Sequence, residues 1–231
     1  MKARTARFDA HYEVAFHRPA FSRIASFSQI VEPIYDAFSS EVQIPPDAIK
    51  LENGDTIATA GVTLTLFSGF SLFEARLDGY KARFLDLRSS EAVDQAKRHT
   101  KLFESAVRGF LTDGIPAHWR LIIPSWLTVD GGMDAAEDLI RHLTWLPDSH
   151  DPFEIGSTKV SSQVRFDCFN TEDLWTVRVT VDKSALPDTH LFLEISGEYA
   201  AGSRFNTFDK QAEHLSIVSK PVIDKLGLVV E

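Results

Sequence analysis

The chain has 231 residues, 44% hydrophobic and 25% charged, with 12 glycines and 10 prolines; this is ordinary globular composition and excludes disorder or a collagen-like repeat over most of the length. Acidic residues number 33 against 24 basic ones, a net charge of −9, which argues against a broad phosphate-binding surface. The one cysteine, Cys168, supports neither an internal disulfide framework nor a cysteine-rich zinc site.

The N-terminus is basic but lacks the apolar run of a secretory signal. The greasiest stretch, Leu121 to Val129, is broken by Pro124 and Ser125, short of the roughly 20 residues that span a bilayer. No membrane partner is expected, and a cytoplasmic location is the default reading.

Along the chain, His11 to His17 alternates polar and apolar residues, the period of a half-buried strand. Ser26 to Phe38 then places Phe27, Ile30, Val31, Ile34, Tyr35 and Phe38 on one helical stripe. Pro33 kinks that helix or marks its true start. Pro45-Pro46 and Asn53-Gly54-Asp55 punctuate a loop. Val62 to Phe67, Leu72 to Asp78 and Ala82 to Leu87 read as strands, and the short breaks between them suit antiparallel hairpins. A helix follows from Glu91 to Leu111, stopped by Gly114 and Pro116.

The second half repeats that order. Trp119 to Ile123 is a strand and Met133 to Leu146 a helix. Gln163 to Phe169, Trp175 to Asp182 and Leu191 to Ile195 are strands. Thr207 to Lys220 is a helix, expected to break near Pro221. Residues match across the halves at similar offsets: His11 with His118, Val62 with Val164, Phe67 with Phe169, Phe84 with Phe192, and His99 with His214. These patterns predict an α+β fold of two pseudo-symmetric β-α-β-β-β-α halves, residues 1–116 and 117–231, related by internal duplication. Together they form a curved, mainly antiparallel sheet with helices on one face. The element order is similar to the tandem repeats of the TATA-binding-protein-like fold, and to helix-grip ligand-binding domains. The resemblance covers element order alone and carries no function.

Alternation assigns residues to the two sheet faces. Tyr12, Val14, Phe16, Val62, Leu64, Leu66, Phe73, Ala75 and Leu77 should meet the helices, with Trp119, Leu121, Ile123, Val164, Phe166, Cys168, Val177, Val179 and Val181 in the second half. The opposite face is mixed, and aromatics set among charges there point to an interface. Its candidate binding residues are Phe67, Glu74, Arg76, Phe84, Arg120, Arg165, Phe169, Arg178 and Phe192.

Catalytic signals are weak. His11, Glu13 and His17 share a strand face that is geometrically open to metal ligation, and His11 could approach His118 if the two first strands pair. His142 and the His150-Asp151 pair lie near a loop that offers no nucleophile. Gly197 to Ser203 has a G-x-x-x-x-G frame without the phosphate-loop lysine, and reads as a connection. Asp94 with His99, and Asp209 with His214, are five helical residues apart and do not share a face. The expectation is therefore a non-enzymatic protein, with no cofactor, metal or catalytic residue assigned, that binds a protein partner or a second copy of itself. The alternative is a small apolar ligand, held by a carrier or a ligand-using enzyme. Nucleic acid is disfavoured by charge, although Arg76, Arg120, Arg165 and Arg178 offer a local basic strip.

Overall fold

A computed structural model describes residues 1–52, 60–144, 154–155, 158–159 and 163–230. The first half runs β1 (Lys2–Arg18), a 3-10 segment (Phe21–Ile30), α1 (Val31–Ser39), β2 (Ile49–Glu52), β3 (Gly61–Leu66), β4 (Ser71–Arg76), β5 (Gly79–Leu87) and α2 (Ser90–Phe110). The second runs β6 (Ile115–Val129), α3 (Gly132–Thr144), the small strands β7 (Glu154–Ile155) and β8 (Thr158–Lys159), β9 (Val164–Asn170), β10 (Trp175–Lys183), β11 (Leu191–Ala200), α4 (Phe208–Lys225) and β12 (Val229–Val230).

These strands build a curved, open sheet in the order β2-β3-β4-β5-β1-β6-β11-β10-β9, with β12 added in parallel to β1 at Lys2 and Ala3. Every other pairing in it is antiparallel. The predicted α+β class, with two pseudo-symmetric halves, is therefore the observed one. The halves meet along β1 and β6, where Glu13 lies opposite Arg120 and Val14 opposite Trp119.

Local chemistry explains most boundaries. Ser89 caps α2, its hydroxyl accepting from the Ala92 amide at 3.2 Å. Pro33 sits in the first turn of α1, where its missing N–H leaves no helical bond unmade; the stretch before it is 3-10 rather than α. Four elements run further than the reading of the sequence. β1 and β6 are longer, because an extra residue between Thr5 and Arg7 breaks the alternation of β1 and because Pro124 lies inside β6. β11 continues through Gly197 to Ala200, so that glycine lies in a strand and not in a connection. A Cβ on Gly197 would stand 2.7 Å from the Tyr199 hydroxyl, which explains glycine there. The last helix passes through Pro221 to Lys225, with Pro221 on its exposed side.

All four helices pack on one sheet face. Val62, Leu64, Leu66, Phe73, Ala75 and Leu77 are at most 2% exposed, as are Val177, Val179 and Val181. Phe103 of α2 and Leu215 of α4 join the same cluster as the central strands. Where a helix-grip protein would hold a ligand, between sheet and α2, Phe73, Tyr80, Phe84 and Phe103 pack ring against ring.

Two histidines lie inside this layer. His99 is 1% exposed among Phe38, Phe67 and Phe73, with Glu41 and Arg98 the nearest charges. His214 stacks on Phe205 at 3.9 Å and meets the Tyr199 hydroxyl at 3.2 Å, with Arg204 and Asp173 nearby. Burial lowers the pKa of both below the ordinary histidine value. The folded state therefore holds its protons less tightly than the unfolded state does. Stability is fully present above about pH 6.5 and is lost as pH falls from there toward the folded pKa, at up to about 1.4 kcal/mol per pH unit for each histidine. Urea midpoints should fall between about pH 7.5 and pH 5.5, and less steeply in His99→Gln. A midpoint that rises with acidity contradicts this assignment.

Candidate functional site

The sheet face away from the helices carries a continuous row of side chains, one per strand. Strand register sets Lys50, Thr63, Glu74, Lys81, Glu13, Arg120, Glu198, Thr176 and Phe169 side by side across nine strands. Neighbouring charges in the centre alternate in sign. Lys81 reaches Glu13 at 3.3 Å, and Arg120 lies 3.7 Å from Glu198. The Glu13–Arg120 pair marks the centre, where the two halves of the sheet join.

Around that centre are two nitrogens whose hydrogen-bonding capacity is unused. His11 Nε2 and Arg120 Nε are both buried and have no hydrogen-bond partner among the described residues. They border a small depression of about 160 Å³ that Leu72 and Arg83 also line. Burial, reinforced by Arg83, lowers the His11 pKa, so the ring is neutral at pH 7. Toward β9, a wider concavity of about 740 Å³ runs past His118, Arg120, Glu198 and Phe169. Phe169 is 73% exposed.

A second cluster occupies the same face nearer the other end of β6. Arg7 stacks over Trp126 at 5.0 Å, and Trp126 packs on Phe192 at 5.5 Å. Register places Trp126 opposite both Arg7 and Phe192.

Of the nine residues selected from the sequence, the structure brings seven to this face: Glu74, Arg76, Arg120, Arg165, Phe169, Arg178 and Phe192. Two belong elsewhere. Phe84 is 2% exposed and packs on Phe73 and Phe208 in the core; Tyr80, Ala82 and Phe84 point inward while Lys81 and Arg83 point outward. Phe67 lies beyond the end of β3 with φ +53°, which turns its ring onto His99 at 5.8 Å on the helix side. The matches of Phe84 with Phe192 and of Phe67 with Phe169 thus do not preserve the face.

The register does not bring His11 to His118. β1 and β6 do pair, but the register sets His11 opposite Ile122 and His118 opposite Ala15. Cys168 is half-buried at the edge of the core. His150 and Asp151 lie outside the described residues. Among the described residues no group of three or more His, Cys, Asp or Glu side chains could hold a metal ion.

The arginine strip is neutralised in place. Arg165 and Arg178 each donate to Asp167 at 3.0 Å, Arg120 faces Glu198, and Arg76 pairs with Glu74 and, at 3.6 Å, with Glu52. Hydrogen bonds from Arg165 and then Arg178 hold the Asp167 carboxyl below the usual carboxylate range. Sequence reasoning missed Arg7, Glu13, Lys81, Trp126 and Glu198 as site members. Trp126 and Arg7 fell outside strands read as too short, and the central row depends on a register that no single strand discloses.

Residues 158–225, which run from β8 to the end of α4, match the family described as type III secretion protein (HpaP). No curated protein matches the chain. A solved structure titled Methanococcus jannaschii TBP is similar over 98% of this chain and 99% of that one, at 10% identity and a TM-score of 0.29. Among the described residues no helix is long and apolar enough to cross a membrane.

Proposed function

We propose that this chain is a non-enzymatic binding protein that docks a protein partner on the uncovered face of its sheet, and that the partner is a component or cargo of a type III secretion system. The observation that carries this reading is the cross-strand row of alternating charge, which runs to the exposed Phe169. Paired, interspersed charges flanked by aromatics are the composition of a protein-binding surface. Neutralised arginines favour a protein over nucleic acid, because a phosphate backbone needs free positive charge. The secretion context is supported by the likeness of residues 158–225 to HpaP.

Charge reversal tests the reading. Glu74→Arg combined with Arg178→Glu should abolish retention of a secretion component by the immobilised chain, while the thermal midpoint stays near that of the unaltered protein. Retention at undiminished strength contradicts the proposal. A second reading, a small apolar ligand, rests on the concavity beside Phe169, whose volume of about 740 Å³ falls in the range of ligand sites. Native mass spectrometry separates the two, since a ligand adds a small mass that Phe169→Ala removes.

A further inference from the structure

The two halves differ at their outer edges. In the first half β3 is covered: β2 pairs along it, with Ile49 opposite Leu64 and Leu51 opposite Val62. Val62, Leu64 and Leu66 are accordingly at most 2% exposed. In the second half β9 ends the sheet among the described residues. Its helix-side residues, Val164, Phe166 and Cys168, are only half-buried. Among the described residues no strand lies along the outer edge of β9, and β7 and β8 form a sheet of their own. An edge strand with unpaired backbone groups and half-exposed apolar side chains is a template for a further strand. β9 has no proline and no bulge in its pairing with β10 to blunt it.

The side chains of β9 state what fits. Place a second copy of β9 antiparallel to the first, with Phe166 opposite its own counterpart. Arg165 then faces Asp167 of the second copy, Asp167 faces Arg165, and Val164 faces Cys168. The register centred on Arg165 would oppose arginine to arginine, and the one centred on Asp167 aspartate to aspartate, both unfavourable in directly opposed strands. Asp167 keeps its hydrogen bond from Arg178 of its own chain, while Arg165, which donates to Asp167 of its own chain, turns to Asp167 of the second copy. A twofold axis normal to the sheet makes this contact self-complementary and closed. It also leaves the open faces of both copies on the same side.

We infer that the chain self-associates by pairing β9 with β9 of a second copy, in the antiparallel register centred on Phe166, so that two sheets become one. The contact runs along the edge of β9, and its Arg165 and Asp167 side chains lie on the same sheet face as the partner-binding row. The contact is one strand long, so the dimer is weak and concentration-dependent.

Sedimentation velocity of the full chain up to about 1 mM should show a monomer–dimer equilibrium. Arg165→Asp places Asp against Asp, and Asp167→Arg places Arg against Arg; each alone should weaken association by about tenfold or more. Their equimolar mixture restores both opposite-charge contacts and should dimerise as the unaltered chain does, which also shows that both variants are folded. A monomer throughout the concentration range overturns the inference. So does a dimer indifferent to either substitution, or a mixture that fails to recover.

Discussion

Phe84→Ala is expected to lower the free energy of unfolding by about 3–5 kcal/mol, whereas Phe169→Ala should leave it within about 0.5 kcal/mol. The two phenylalanines were equal candidates for a binding surface in the sequence, and the structure separates them. Phe84 is enclosed by Phe73 at 5.5 Å and Phe208 at 6.3 Å, between β5 and two helices. Its removal leaves a cavity that those rings cannot close without abandoning their own contacts. Phe169 is 73% exposed on the edge strand, so its truncation opens no cavity. Urea denaturation of both variants reads the difference directly. Equal costs at the two positions would contradict the assignment of sheet faces, and with it the site.

Glu104→Ala should destabilise the protein by a comparable amount, about 3–5 kcal/mol. Glu104 is 9% exposed and accepts from the Tyr12 hydroxyl at 2.9 Å, the Tyr80 hydroxyl at 2.7 Å and Arg108 Nη2 at 3.2 Å. Arg108 in turn donates to the Tyr80 hydroxyl at 2.9 Å. Burial and the Glu104 carboxylate push both phenols above their usual range, so they remain protonated donors at neutral pH. One carboxylate thus ties β1 and β5 to α2 and to Arg108, whose guanidinium also reaches the Asn206 carbonyl just before α4, at 3.5 Å. Without it, two buried hydroxyls and the Arg108 guanidinium lose their acceptor at once. Glu104→Gln keeps an acceptor oxygen but not the charge, and should cost less than the alanine variant. A Glu104→Ala protein as stable as the unaltered one would show that solvent satisfies these groups.

The parts of the fold visible in the sequence are those where one physical rule acts alone. Val62-Thr63-Leu64-Thr65-Leu66 and Val177 to Val181 alternate strictly, because each strand has one face on the helices and one off them. The core members of these strands were correctly identified from that alternation. It failed where geometry departs from the two-residue period. A bulge between Thr5 and Arg7 hid the first half of β1, and a left-handed backbone at Phe67 and Ser68 turned the end of β3. Phe84 is a different case. The alternation of Tyr80, Ala82 and Phe84 with Lys81 and Arg83 was there to be read, and its apparent match with Phe192 outweighed it.

The candidate site was legible residue by residue but not as an arrangement. Glu74, Arg120 and Phe169 each stand out as unusual on a strand, yet only the register across nine strands places them in one row. The pairing of His11 with Ile122, which leaves Nε2 without an acceptor, is likewise set by register and by nothing local.

Cross-linking followed by mass spectrometry tests the central claim most directly, in cells that assemble a type III secretion system and express the chain. Lys50 and Lys81 stand on the uncovered face, while Lys97 and Lys101 stand on α2 and Lys210 on α4. The account predicts cross-links from Lys50 and Lys81 to a secretion component, lost when Glu74 and Arg178 are reversed in charge. Cross-links to such a component confined to Lys97, Lys101 and Lys210 would place the partner on the helices and contradict it.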